Sequence, residues 1–355
     1  MAVLTGYIIR EILKGSFIAL LLLLTLFNLF TFSDELSDLG KGGYGLKQIF
    51  YYLALTSPTV FYELMPASAL LGSLFILGAM ANNQEITAMR AAGLSIFGII
   101  KGVLLAGLVL VTVSIAVGEF IAPGAQKKAQ LLKATVDSNQ VMLNDVYGLW
   151  LREDKKFINV RQIQDNGDLS DISIYDIDDN QHLYQTTHAE RAIFLGNQKW
   201  RLENIKQSMI SIEQMRTATR TQQEWKSAIA PDLLDLSVVK PDNLSLIDLA
   251  KYVNFLKENH QKSLQFELAL WGRVVNPLVT FIMLLVSAPF VIGIKRGISA
   301  GARMLIGVVI GMGFNIIDRI VGHLGLIYEL NPPLVAFTPS LIVLALAVHA
   351  IKRVH

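Results

Sequence analysis

The sequence predicts a membrane α-helical protein of six spans, three on each side of an inserted antiparallel β-domain. Three observations lead there. Of 355 residues, 52% are hydrophobic and only 17% charged, whereas soluble domains usually carry roughly a quarter charged residues. The apolar residues gather into six long stretches. Between the third and fourth, from about Gly124 to Lys262, the chain turns polar and its patterning becomes strand-like. The expected division is therefore 1–123 for three spans, 124–264 for the β-domain with flanking helical segments, and 265–355 for the last three spans.

A crossing helix needs about 20 mostly apolar residues, because its backbone must satisfy itself across about 30 Å of hydrocarbon. Ile12 to Phe32 is the clearest, and with no small-residue cleavage pattern behind it reads as a retained span. The second is interrupted by Pro58, Glu63 and Pro66, which places it at Leu64 to Ala81. The aromatic cluster Phe50, Tyr51, Tyr52, Phe61 and Tyr62 then suits the membrane interface. Ile96 to Ala122, Leu268 to Ile294, Ala302 to Val321 and Leu334 to Ile351 complete the set.

Loop charge sets the orientation. With the N-terminus inside, the inner segments hold Arg10, Lys14, Arg90, Lys101, Lys295, Arg296, Arg303, Lys352 and Arg353, while the short outer loops hold Lys41 and Lys47. Positive residues favour the cytoplasmic side, so both termini are expected there and the β-domain outside, in the periplasm of a two-membrane bacterium.

Within the polar block, Gly124 to Ser138 reads as a helical extension of the third span. Gly148-Leu-Trp-Leu, Phe157-Ile-Asn-Val, Ile172-Ser-Ile-Tyr and Arg191-Ala-Ile-Phe are strand-like, separated by Asp165-Asn-Gly, Asp178-Asp-Asn and Gly196-Asn turns. Seven to nine short strands at this spacing predict an antiparallel sandwich or jelly roll. Ser245-Leu-Ile-Asp then reads as a helix cap opening an amphipathic helix through about Lys257.

Several chemistries find no support. Cysteine is absent, which removes disulfides, thiol nucleophiles and thiolate metal sites. A net charge of +2 with no dense basic run gives no footprint for nucleic acid. Gly40-Lys41-Gly42 lacks the earlier glycine and following hydroxyl of a phosphate-binding loop. Gly297-Ile-Ser-Ala-Gly301 spells a nucleophile-elbow pattern, but it lies in a basic loop between spans and lacks a strand before it. The six histidines show no metal spacing.

Other features carry more. Gly307 and Gly311 form a small-xxx-small pair that suits close helix packing. Asp318 and Arg319 lie near the outer end of the fifth span, and Glu63 beside Pro66. Interfacial snorkelling and a polar cavity both account for such charges. The stretch Asn82 to Gly93 reads as a short cytoplasmic helix within about 82–95, capped by Asn82 or Asn83, with Glu85 in its first turn and stopped by Gly93. Ile86, Met89 and Arg90 are expected on one face. It fits either a plain loop or a helix that seats in a cytoplasmic ATPase.

These residues together resemble a known family. Gln84-Glu-Ile-Thr-Ala-Met-Arg-Ala-Ala-Gly93, Gly118-Glu-Phe-Ile-Ala-Pro123, Tyr147-Gly-Leu-Trp150 with Phe157-Ile, Leu244-Ser through Tyr252-Val, Asn276-Pro-Leu and Ile317-Asp-Arg-Ile-Val-Gly322 are similar to the YjgP/YjgQ (LptF/LptG) permeases of lipopolysaccharide export, nearer the LptG branch. The resemblance covers essentially the whole chain.

It implies an ABC transporter in which this permease and an LptF-like sister sit on an LptB-like ATPase dimer. ATP and Mg²⁺ belong to that partner, and no cofactor is expected in this chain. Glu85, Ile86, Met89 and Arg90 would form the coupling helix. Lipopolysaccharide would enter between the first span of one permease and the fifth of the other, then cross a jelly-roll bridge continued by LptC- and LptA-like proteins. Basic residues where the first and third spans emerge would meet the lipid phosphates. This chain departs there: it has Thr31 where the family often has lysine, and Gln130 and Lys133 at two positions beyond Pro123. Lys41, Lys127 and Lys128 are candidate substitutes, with Asp318 and Arg319 as further lipid-facing candidates. The competing reading is a non-transporting receptor or scaffold whose β-domain binds a periplasmic partner.

Overall fold

A computed structural model describes residues 2–41, 44–137, 148–164, 167–178, 180–211, 214–227, 229, 231, 240–292 and 300–353. Among them, six helical segments are long and apolar enough to cross a membrane. The Gly297 to Gly301 motif, Lys295 and Arg296 fall wholly or partly outside the described residues.

Helix α1 runs Ala2–Glu35 and α2 runs Leu46–Asn82. At 1.5 Å per residue, the 37 residues of α2 extend about 55 Å, well beyond the hydrocarbon. The expected start at Leu64 is therefore late: α2 continues unbroken through Pro58 and Pro66. A proline removes one donor and leaves the carbonyl four residues back unpaired, a loss that neighbouring helices can fill. For Pro66 that carbonyl is Tyr62 O, and Asn276 Nδ2 approaches it to 3.5 Å.

After the short helix α3 (Glu85–Ala91), α4 (Ile96–Ala116) passes through a π turn at Val117–Ile121 into α5 (Ala122–Asp137). The expected helical extension beyond the third span is thus observed. Beyond the β-domain come α6 (Leu246–Glu258), α7 (Leu264–Ile292), α8 (Ala300–Ile327) and α9 (Pro332–Arg353). Gly307 packs α8 onto α2 so closely that a methyl group there would lie 2.7 Å from Leu74 Cδ1. That agrees with helix packing as the meaning of the small pair.

The inserted domain is one open antiparallel sheet: β1 Leu149–Glu153, β2 Lys156–Ile163, β3 Leu169–Ile177, β4 Leu183–Gly196, β5 Lys199–Ile210 and β6 Met215–Lys226. Among the described residues neighbours are consecutive throughout, the order of a meander rather than the non-consecutive pairing of a jelly roll. Among the described residues there are six strands against the expected seven to nine, and β4, β5 and β6 are long, at 14, 12 and 12 residues. The sheet curls: Ser227, just beyond β6, donates to Glu153 on the opposite edge strand at 2.7 Å.

Its buried face gathers Leu151, Ile158, Val160, Ile172, Trp200, Leu202 and Ile205. The fully buried Trp200 donates its indole N–H to Ile229 O at 2.8 Å, the pairing a buried indole usually finds. Helix α6 closes this core with Tyr252, Phe255 and Leu256. Its start is the expected cap, with Ser245 Oγ accepting from Asp248 N at 3.1 Å.

Candidate functional site

Three clusters lie along the membrane helices. At the emerging ends of α1 and α5, Lys133 Nζ stands 2.6 Å from Glu35 Oε1 and 3.1 Å from Asp38 Oδ2. Asp38 also holds Lys41 at 2.7 Å, and Tyr44 donates its hydroxyl to Glu35 Oε2 at 2.9 Å. The Lys133 ammonium lies over the Tyr52 ring, 5.5 Å from its centroid. Glu35 and Tyr44 are buried. Burial, followed by the bond to Glu35, pushes the Tyr44 phenol well above its usual pKa, so it remains a donor.

This cluster brings Lys41 and Lys133 together through one carboxylate. The other lipid-facing candidates stand apart. Lys127 and Lys128 are exposed on α5, and at 100° per residue Lys128 points about 140° away from Lys133. Thr31 donates back to Phe27 O within α1 at 3.1 Å. Asp318 and Arg319 are exposed on α8. Glu35 and Asp38, the partners that occupy Lys133, were not among the sequence candidates.

The second cluster is α3. Its N-cap is Gln84 in the left-handed region (φ 59°) with no side-chain cap, which corrects the expectation of Asn82 or Asn83. The reason is geometric: Asn82 is still the last residue of α2, leaving only Asn83 and Gln84 to turn the chain. Asn83 instead donates to Glu85 Oε1 at 3.3 Å, and Tyr7 of α1 donates to Glu85 Oε2 at 3.0 Å. Gly93 (φ 90°) ends the helix as expected, with Leu94 N returning to Met89 O at 3.0 Å. Ile86 and Met89 are buried against the helical core with Met80 and Leu94, whereas Thr87, Ala88, Arg90 and Ala91 face outward. The four candidates thus divide into two anchors, a tethered Glu85 and an exposed Arg90.

The third cluster was missed in the sequence. Arg273 of α7 is buried and donates to Glu119 Oε1 at 2.8 Å, Gly118 O at 3.0 Å and Asp242 O at 3.2 Å. Backbone chemistry explains the site. In the π turn, Ala122 N–H bonds Val117 O, five residues back. The next donor in that register would be Pro123, which has none, so Gly118 O takes the guanidinium instead. Pro277 likewise frees Arg273 O, and the Tyr62 hydroxyl fills it at 3.2 Å. The only signal in the sequence was a cation four residues before a proline in an apolar run.

Residues 6–353 match the family of lipopolysaccharide export system permeases LptF/LptG. This chain belongs to that family. The LptG permease of Haemophilus influenzae is 31% identical over 337 residues, covering 95% of this chain and 94% of its own. That of Escherichia coli K12 is 30% identical over 340 residues with the same coverage. Membership, with six apolar spans, makes the chain a multi-pass inner-membrane permease of the lipopolysaccharide export system. Gly118 and Glu119 meet Arg273 directly, and Asn276 approaches Tyr62 O beside it.

Proposed function

We propose that this chain is the LptG-type half of an ABC exporter that extracts lipopolysaccharide from the inner membrane and passes it to a periplasmic bridge. Its sister is an LptF-like permease, its motor an LptB-like ATPase dimer carrying ATP and Mg²⁺, and its bridge partners LptC- and LptA-like proteins. Both termini are cytoplasmic and the β-domain periplasmic, as the loop charges favour.

The observation that carries this reading is the uneven burial of the spans. α1 and α8, the first and fifth, are the least buried, leaving Phe17, Ile18, Leu22 and Phe30 on one and Leu305, Val309, Met312 and Ile316 on the other largely exposed. Helices left apolar on one side within a packed bundle fit a partner permease and a lateral lipid entry between the first span of one chain and the fifth of the other. At the outer end of α1 the Lys133 cluster supplies cations for lipid phosphate, and α3 offers Arg90 to the ATPase.

The test is purification of the tagged chain from its native membrane, followed by reconstitution with the proteins recovered. An ATPase and a sister permease should co-purify, and ATP should drive lipopolysaccharide out of the vesicles. Recovery of a periplasmic partner alone, with no ATPase and no ATP-dependent release, would establish the scaffold reading instead.

A further inference from the structure

We infer that the Arg273–Glu119 pair is a relay that fixes helix α6, and with it the β-domain, to the third and fourth spans, so that the sheet follows their movement. The pair stands where three membrane helices meet the base of the inserted domain. On the membrane side, Arg273 belongs to α7, Glu119 to the π turn below α5, and Tyr62 to α2. The guanidinium lies over the Tyr62 ring, 5.4 Å from its centroid.

On the domain side, Glu119 uses its two oxygens for different partners. Oε1 takes Arg273 at 2.8 Å, while Oε2 accepts the backbone N–H of Leu246 at 2.7 Å. Leu246 is the first residue of α6, where backbone donors have no partner within the helix. A carboxylate there also suits the positive end of the helix dipole. Arg273 reaches the same segment again through Asp242 O.

Helix α6 is embedded at its other end. Tyr252, Phe255 and Leu256 are part of the sheet's own core, and Tyr252 meets Phe266 of α7 with ring centroids 4.5 Å apart. A displacement of α4 or α7 at the pair is therefore imposed on the N-terminus of a 13-residue helix whose far half is packed into the sheet. The π turn places its irregular backbone at that point, where the third span's direction can change. Arg273 and Glu119 are positioning residues; they act through α6 and need touch no cargo.

The chain contains no cysteine, so spin labels can be placed without removing native thiols. Labels at Val109→Cys on α4 and Thr219→Cys on β6, both exposed positions, report the span-to-sheet distance by pulsed electron resonance in lipid nanodiscs. The unaltered relay should give one narrow distribution. Glu119→Gln should at least double its width while leaving Tm within a few degrees. Leu246→Pro tests the same bond with less disturbance. Proline is accommodated at the first helical position, and Ser245 before it is extended at ψ 162°. It deletes the N–H that Glu119 accepts, at a residue whose own side chain is exposed, and should broaden the distribution similarly.

Arg273→Lys, which keeps the charge but not the forked donors, should fall between wild type and Arg273→Gln. An unchanged width in Leu246→Pro overturns the relay, even if Glu119→Gln or Arg273→Gln fails to fold. The measurement needs no ATPase and no lipopolysaccharide, so its outcome stands apart from that of the transport reading.

Discussion

The ammonium of Lys133 sits 2.6 Å from Glu35 Oε1, joining α5 to the end of α1 across 98 residues of sequence. The carboxylate is buried while Lys133 is about one-third exposed. The cation proposed for lipid phosphate is thus already engaged by Glu35 and Asp38, and a phosphate would compete with them for it. Removing the lysine strands a buried carboxylate, a larger loss than neutralising the acid.

Lys133→Ala should therefore destabilise the chain by about 1–3 kcal/mol, the fully buried figure being discounted for solvent screening. Glu35→Gln should cost less, because an amide left there carries no charge. With Lys133 left in place, it should also raise severalfold the lipopolysaccharide captured by a photoreactive residue at the exposed neighbour Leu39. Equal thermal shifts for the two variants, together with unchanged crosslinking, would show that Glu35 does not restrain the lysine.

Helix α3 separates anchoring from contact. Ile86→Ala removes a buried side chain and should lower stability by about 2 kcal/mol, at the low end of such core truncations because the site is shallow. Arg90→Glu alters an exposed side chain and should leave Tm unchanged while weakening ATPase association at least tenfold. Pull-down with the recovered ATPase, paired with a thermal melt of the chain alone, reads both. Full ATPase binding by Arg90→Glu would remove α3 from the coupling role.

Much of this organisation was legible because it is local. Each span is a long, mostly apolar stretch, Ser245 caps α6 with a residue three positions away, and Gly93 ends α3 within one turn. What was not legible depends on distant partners. Pro58, Glu63 and Pro66 looked like a break in the second span, yet Asn276 of α7 approaches the carbonyl that Pro66 frees. Arg273 and Glu119 are 154 residues apart, and neither residue alone signals the other. Strand length was also misjudged, since the turn residues bounding β4 to β6 lie farther apart than those of the earlier strands. Where α1 and α5 end, the basic residues could be named, but not the acids that occupy them.

Gly118 is fixed by crowding. A methyl group there would lie 2.3 Å from Tyr62 Cδ2, and the ring cannot retreat because its hydroxyl is tied to Arg273 O. Gly118→Ala should therefore cost about 1–3 kcal/mol through overpacking. Gly124, in the first turn of α5, would meet nothing within 4 Å. Gly124→Ala should be neutral or gain up to about 1 kcal/mol from helix propensity. Thermal melts of both variants in the same detergent provide the comparison, and similar losses at the two sites would contradict it.

The β3–β4 turn should respond to acid. Asp178 Oδ1 accepts from His182 N at 2.7 Å and from Asn180 N at 2.9 Å. The His182 bond first, then that of Asn180, holds the carboxyl below its ordinary pKa. For a depressed acid the stabilising contribution is present above the unfolded value, near 3.9 for Asp, and is lost as pH falls through the folded value. The amide resonances of Asn180 and His182 should thus stay constant from neutral pH down to about 5 and shift together only in stronger acid, with a midpoint below 3.9. In Asp178→Ala that shared transition should vanish. A midpoint at or above the ordinary aspartate value would mean that the turn does not hold the ionised carboxylate.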